Sequence, residues 1–198
     1  MVFFDCVATS GKPCALPSLA VDSVWHAWQR LAPLKLDAFC LKHFGRVIPH
    51  LERAVMPGRM EDAIAASLVR ARELEGLRPE GPRLPSLFLL DRKLRMPNGF
   101  GYTVLRGRPG YGELDARGRL DPLVSCPPAL EAAGLLAAGL ITNEVYAAYM
   151  ERAARRPEGS SCGSGCGSSV SCDAGSSSCD GGSSCGSSCG SGCGGGGD

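Results

Sequence analysis

The sequence lacks the features that identify most membrane and nucleic-acid-binding proteins. No stretch approaches the roughly eighteen consecutive apolar residues that a membrane-spanning helix requires. Basic residues do not alternate with aromatic residues in a run that would trace a nucleic-acid groove. The amino terminus has no basic segment followed by an apolar one, the pattern of a secretory signal. We therefore expect a cytoplasmic protein with reduced thiols, no membrane span and no nucleic-acid partner.

Sequence motifs for several large enzyme classes are also missing. The chain has no G-x-x-x-x-G-K-[ST], no G-x-G-x-x-G after a predicted strand, no G-x-S-x-G and no H-E-x-x-H. Phosphate, nicotinamide and serine-hydrolase chemistry therefore have no support. The first hypothesis is a non-enzymatic binding or accessory role, with another protein as the expected partner and the oligomeric state open.

The composition divides the chain in two. All 21 Lys and Arg residues precede Pro157, whereas four of the 20 acidic residues follow it, so residues 1–157 carry 21 minus 16, or +5, and the rest carries −4. From Gly159 to Asp198 the chain is almost entirely Gly, Ser and Cys, which cannot bury a core. We expect one globular domain over residues 1–157 and a disordered, low-complexity tail over residues 158–198.

Apolar periodicity in the domain predicts helices. Apolar residues recur at intervals of three and four from Val21 to Leu31, which predicts a helix capped by Ser18 and stopped near Pro33. Further helices are predicted from about Lys35 to Phe44 with Gly45 as the closing residue, from Met60 to Leu74, and from a cap at Thr142 or Asn143 to Arg156.

A change of period predicts a small β-hairpin. Leu94 and Met96 precede the turn residues Pro97 to Gly99, and apolar residues occupy alternate positions from Phe100 to Val104. The predicted fold class is therefore mainly α, a single helical domain with a small β-hairpin.

Asp22, His26 and His50 form the candidate site of the domain. Asp22 and His26 are one helical turn apart and project from the same helix face, and His50 approaches them if the second helix folds back on the first. Carboxylate and imidazole are suitable ligands for zinc, iron or manganese. Two interpretations stay open: a metal or proton-transfer site for a metal-dependent enzyme, or a local hydrogen bond that holds the helix while His50 packs at a loop.

The tail carries seven cysteines at intervals that do not match a structural zinc site. Between successive cysteines lie three, five, six, five, three and three residues, whereas zinc folds use two close pairs. Three hypotheses remain: a flexible tether, capture of soft ions such as Zn or Cu(I) by thiolates, and a precursor-like tail whose Ser and Cys are modified to azoles. The residues concerned are Cys162, Cys166, Cys172, Cys179, Cys185, Cys189 and Cys193.

Several short motifs occur in a defined order, at Val21–His26, Phe39–Cys40, Phe44–Arg46 and His50. That order resembles the glycine-rich domain-containing proteins, whose usual pattern is D-x-x-W-H-x-H followed by F-C, F-G and a further histidine. Leu84–Phe88, Asp91 and the Gly, Ser and Cys-rich end resemble bacterial members of that family. Trp28 stands where the family commonly has a second histidine, and Leu51 where it commonly has proline. The resemblance implies a shared fold and a family with no agreed biochemical activity.

Overall fold

The structure, a computed structural model, describes residues 2–50 and 58–155. These residues belong to one compact unit within Met1–Gly159. The predicted boundary at Pro157 and the predicted tail over residues 158–198, with its seven cysteines, lie outside the described residues.

Helices dominate the regular structure of the described residues, and the predicted mainly α fold class with a small hairpin is confirmed. Seven α-helices occur there: α1 (Val2–Ser10), α2 (Leu19–Leu31), α3 (Pro33–Phe44), α4 (Met60–Leu74), α5 (Leu90–Leu94), α6 (Ala132–Ala137) and α7 (Asn143–Ala154). Two short 3₁₀ helices, Ser86–Leu89 and Pro128–Leu130, come before α5 and α6. None of the helices within the described ranges has the length and apolar character needed to cross a membrane.

The helix ends follow capping signals in the sequence. Ser18 caps α2, as predicted, because its side chain accepts a hydrogen bond of 3.3 Å from the backbone N–H of Val21. Gly45 ends α3 with a φ of 68°, a left-handed conformation that glycine adopts without strain. Thr142 caps α7 by accepting a bond of 3.4 Å from the N–H of Val145.

Helix α1 is an element that the periodicity analysis did not identify. It packs on α4, the most deeply buried helix, whose small side chains let a neighbouring backbone approach. Phe3 and Cys6 of α1 are buried in the shared core. The segment that follows is fixed to α4 because Ser67 Oγ donates a hydrogen bond of 2.6 Å to the carbonyl of Ala15.

The β-hairpin consists of β1 (Phe100–Leu105) and β2 (Arg108–Glu113), paired antiparallel with Tyr102 opposite Tyr111. Arg106 and Gly107 form its two-residue turn, and both have positive φ, 51° and 83°. Two positive φ values give the turn a twist that matches the twist of the strands.

The predicted position of the hairpin turn was wrong. We expected Leu94 and Met96 on the first strand, but Leu94 ends α5, and the N–H of Met96 donates a bond of 2.8 Å to the carbonyl of Asp91. Residues Pro97 to Gly99 connect α5 to β1 instead. The error arose because Pro-Asn-Gly is a strong turn signal, and such a signal does not reveal which elements the turn joins.

Asp91 is a fully buried carboxylate, 1% exposed, at the start of α5. It connects α5 to the beginning of α2 and to the beginning of β1. Its two oxygens accept hydrogen bonds from Ser18 Oγ (2.6 Å), Leu19 N (2.8 Å), Ala20 N (3.1 Å) and Phe100 N (2.9 Å). Two of these donors are N–H groups of the first turn of α2 that have no partner within the helix.

Arg72, near the end of α4, is a fully buried cation that holds the loop after the helix. Its Nε donates to the carbonyl of Arg83 at 2.9 Å and its Nη1 to that of Pro79 at 2.7 Å. Burial lowers the pKa of Arg72 to about 10, and nearby Glu80 opposes this shift. Glu80 also forms an ion pair with Arg152 of α7, which connects this loop to the last described helix.

Candidate functional site

The structure brings Asp22, His26 and His50 together, as the sequence analysis anticipated. Asp22 and His26 lie on α2, and His50 follows α3 in the chain. The Nε2 atom of His50 is 2.8 Å from Asp22 Oδ1, and that of His26 is 3.4 Å from Asp22 Oδ2. One ligand atom from each residue lies within 4.8 Å of the other two. We call this group the Asp–His triad.

Two contacts of the triad, each to a different oxygen of Asp22, can be compared with the spacing of ligands in a metal site. Bonds of about 2.0–2.1 Å from a tetrahedral zinc ion to its ligands place two ligand atoms about 3.3 Å apart. The contact between His26 and Asp22, at 3.4 Å, already has this length. The contact between His50 and Asp22, at 2.8 Å, is a hydrogen bond and must lengthen by about half an ångström to admit an ion.

The triad lies at the boundary between core and solvent. The side chain of His50 is 14% exposed, that of Asp22 is 32% exposed and that of His26 is 47% exposed. The ring of Trp25 meets the ring of His50 edge to face, with 4.5 Å between the ring centroids. Trp25 also packs against the rings of Phe3 and Phe4. This packing fixes the imidazole of His50 while leaving the triad open to a small ligand.

Three local structures position the triad. Asp91 and Ser18 fix the first turn of α2, which begins at Leu19, three positions before Asp22. The left-handed Gly45 ends α3 and lets the chain leave the helix toward His50. Arg46 anchors this segment, because its Nη2 donates a hydrogen bond of 3.0 Å to the carbonyl of Val7 in α1.

A cavity of about 770 Å³ opens beside the triad, and all three triad residues line it. This volume is in the range of pockets that bind small organic molecules. The wall is largely apolar and aromatic, with contributions from α1, α2, α4 and the hairpin: Phe3, Val7, Trp25, Ile64, Phe100 and Tyr102. Burial raises the pKa of Tyr102, so its phenol stays neutral at physiological pH.

Three further charged side chains line the cavity, in addition to Asp22 of the triad. Lys12 and Arg46 are basic, and both donate hydrogen bonds to backbone carbonyls, those of Ala138 and Val7. The acidic residues are Asp22 of the triad and Glu61, which forms an ion pair of 3.7 Å with Arg59. Arg59 is not among the residues that line the cavity, so the lining carries two basic and two acidic side chains.

The cysteines of the described residues differ in environment. Cys6 is fully buried, and burial raises the pKa of its thiol to about 12, with smaller contributions from Cys14 and Asp5. Cys40 is also fully buried, an environment in which cysteine behaves as a small apolar residue. Cys14 lines the cavity. The seven tail cysteines lie outside the described residues, so their role stays a prediction.

Sequence reasoning identified the triad but missed two features of the site. The cavity is assembled from four elements that are distant in the chain, and no local pattern indicates such a space. Asp91 was named only as part of the family resemblance, and its structural role had no signal, since one acidic residue after the apolar run Leu87–Leu90 looks like the beginning of a polar surface. Only its burial and its four hydrogen bonds identify its role.

Comparisons with known proteins identify a family. No curated protein and no solved structure matches this chain. The model of a family described as UCP032817-like matches residues 2–109, which include the whole triad, Asp91 and β1. The resemblance to glycine-rich domain-containing proteins is not addressed by this match and stays a prediction. Because the match covers more than half of the 198 residues, the chain belongs to the UCP032817-like family.

Proposed function

We propose that this protein is a metal-binding accessory protein whose Asp–His triad binds a divalent transition-metal ion, with zinc as the expected ion. The observation that carries the proposal is the convergence of Asp22, His26 and His50, although 28 positions separate the first from the last. Two imidazoles and one carboxylate form a donor set that both Zn²⁺ and Fe²⁺ accept in proteins.

The alternative is that the triad only stabilises the fold. A hydrogen bond between His50 and Asp22 is sufficient for that purpose and requires neither His26 nor a cavity beside it. His26 is nearly half exposed, so its position 3.4 Å from the carboxylate adds little to stability. A metal site accounts for all three residues and for their position on the cavity wall.

The tail supports the same general role through different chemistry. Its seven cysteines supply thiolates, which suit soft ions such as Cu(I) and Zn. We propose that the tail captures such ions or acts as a tether, in addition to the triad. A metal-dependent enzyme is the second candidate function, since three protein ligands leave an open coordination position of the kind that catalytic zinc sites have.

Zinc binding by the full-length chain tests the proposal, provided that the tail thiols are removed as competitors. In a tail-serine variant, all seven cysteines from Cys162 to Cys193 are changed to serine while the chain length is kept. We expect competition titration to give one zinc site with a Kd of about 10 µM or tighter. His50→Ala in this background weakens binding at least about tenfold, because the loss of a ligand exceeds the effect of losing a supporting residue.

His43→Ala is the matched control, since His43 is an exposed histidine of α3 outside the triad. It leaves the zinc affinity unchanged, and circular dichroism verifies that both variants are folded. The proposal fails if the tail-serine variant binds zinc more weakly than this limit, or if His50→Ala and His43→Ala have the same affinity.

A further inference from the structure

We infer that the cavity beside the Asp–His triad binds a small organic carboxylate with an apolar body, its carboxylate directed to the metal ion. This inference rests on the proposed metal site and adds the class of ligand that the site accepts. It is carried by three properties of the cavity: its apolar wall, the charges on that wall, and the open coordination position.

The apolar wall selects the body of the ligand. The side chains of Phe3, Trp25, Ile64 and Tyr102 present aromatic and aliphatic surface to a space of about 770 Å³. Such a space gains free energy when apolar surface displaces water from it. A fully polar ligand such as a free phosphate would leave this wall unused.

The charges of the wall select the head group. Lys12 and Arg46 balance Asp22 and Glu61, so the lining has no net charge when both histidines are neutral. A divalent ion at the triad would bring the net charge of the lining and the ion together to +2. A ligand with a negative charge then reduces the excess, and Arg46 can pair with it because guanidinium matches carboxylate geometry.

The coordination of the metal ion gives the carboxylate a defined place. Asp22, His26 and His50 supply three ligands, and a tetrahedral ion requires a fourth. Since the triad lies on the cavity wall, the fourth position is accessible to a ligand that occupies the cavity. A carboxylate oxygen is a ligand that zinc accepts there.

Cobalt-substituted protein provides the test, because the visible spectrum of Co²⁺ reports on its ligands. The tail-serine variant is loaded with Co²⁺ and titrated with phenylacetate, with acetate and with benzyl alcohol. We expect phenylacetate to change the cobalt spectrum and to bind at least tenfold more tightly than either control compound. Acetate lacks the apolar body, and benzyl alcohol lacks the charge.

Two substitutions of cavity-lining residues distinguish an effect on ligand binding from an effect on folding. Arg46→Gln and Lys12→Gln each weaken phenylacetate binding about fivefold to tenfold, because each removes a positive charge from the cavity wall. Lys12→Gln leaves the affinity for benzyl alcohol and for Co²⁺ unchanged, which shows that the cavity and the triad are intact. Arg46 also anchors the segment that carries His50, so Arg46→Gln is measured at saturating Co²⁺. Arg30→Gln is the matched control, an exposed arginine of α2 that does not line the cavity, and it changes none of these affinities.

The outcomes distinguish this inference from the proposed function. If the tail-serine variant does not bind Co²⁺ or Zn²⁺, the metal site is wrong and the ligand inference fails with it. If the metal binds and phenylacetate binds no more tightly than acetate or benzyl alcohol, the metal site stands and the ligand inference is wrong. It is also wrong if Arg46→Gln and Lys12→Gln bind phenylacetate as Arg30→Gln does.

Discussion

At the scale of single residues, Cys6 shows how burial changes the chemistry of a side chain. The thiol is fully enclosed between α1 and α4, and its weak contact with the carbonyl of Ser67 is 3.9 Å long. Burial disfavours the thiolate and raises the pKa from the ordinary 9.0 to about 12. A thiol in this state is neither a nucleophile nor a metal ligand at neutral pH.

The pKa of Cys6 predicts how stability depends on pH. Because the pKa of Cys6 is raised in the folded state, the contribution of its thiol to the free energy of unfolding is fully present below pH 9. That contribution is lost as the pH rises from 9 toward 12. Between pH 8 and pH 10.5 the wild type should lose about 2 kcal/mol more free energy of unfolding than Cys6→Ala does. Urea unfolding under reducing conditions measures this difference, in which the titration of the tail thiols cancels. Equal losses in the two proteins would contradict a buried neutral thiol.

At the scale of secondary-structure elements, Asp91 connects α2, α5 and β1, and the triad depends on that connection. The adjoining chain is packed tightly around the carboxylate: a Cβ added to Gly99 would lie 2.8 Å from its Oδ2. The first turn of α2 has no other acceptor of this kind for Leu19 and Ala20 among the described residues. Asp91 therefore holds the start of α2 in place together with Ser18, and with it the position of Asp22 and His26.

Removing the Asp91 carboxylate should destabilise the protein and weaken zinc binding together. Asp91→Ala leaves the buried hydroxyl of Ser18 and the partly buried N–H groups of Leu19 and Phe100 without their acceptor, and we expect a loss of about 3 kcal/mol or more. Asp62→Ala, at an exposed position in the first turn of α4, is the control and should cost less than about 1 kcal/mol. Thermal unfolding measured by circular dichroism compares the two. Similar melting temperatures for both variants would mean that Asp91 does not hold these elements together.

Elements with their own capping signals were predictable from the sequence, and elements defined by tertiary contacts were not. Ser18, Gly45 and Thr142 mark helix ends because each satisfies backbone groups through local geometry that the residue type indicates. Helix α1 is followed by Gly11 with a φ of 62°, but its burial depends on α4, which lies about fifty residues later in the chain. The Arg106–Gly107 turn was missed because a nearby Pro-Asn-Gly carries a stronger turn signal.

The same distinction applies to the candidate site. Asp22 and His26 share a helix face at a spacing that sequence alone reveals. The approach of His50 was predicted only on the condition that the second helix folds back on the first, a condition that the sequence alone did not settle. The cavity and the Asp91 contacts unite residues from separate elements, and no periodicity encodes such contacts.

At the scale of the whole molecule, the chain offers two kinds of metal ligand. The triad combines imidazole and carboxylate, which suit Zn²⁺ and Fe²⁺, while the seven tail cysteines offer thiolates, which also suit Cu(I). The two sets differ in affinity for soft ions, so substitutions can separate them in the full-length protein. The tail-serine variant retains only the triad, and His50→Ala in the wild-type chain disables only the triad.

The number of bound zinc ions, measured by native mass spectrometry, therefore tests the whole arrangement. We expect one bound ion in the tail-serine variant and one fewer ion in His50→Ala than in the wild type. The wild type should hold at least one ion more than the tail-serine variant, since a thiolate site needs about four sulfur ligands and the tail has seven. Denaturing mass spectrometry of the protein from its natural host should give the unmodified mass. Loss of one water and two further hydrogens for each affected Ser or Cys, confined to residues 158–198, would show azole formation instead. Azole formation consumes the thiols, so that result would leave the triad as the metal site and make the tail a modified peptide.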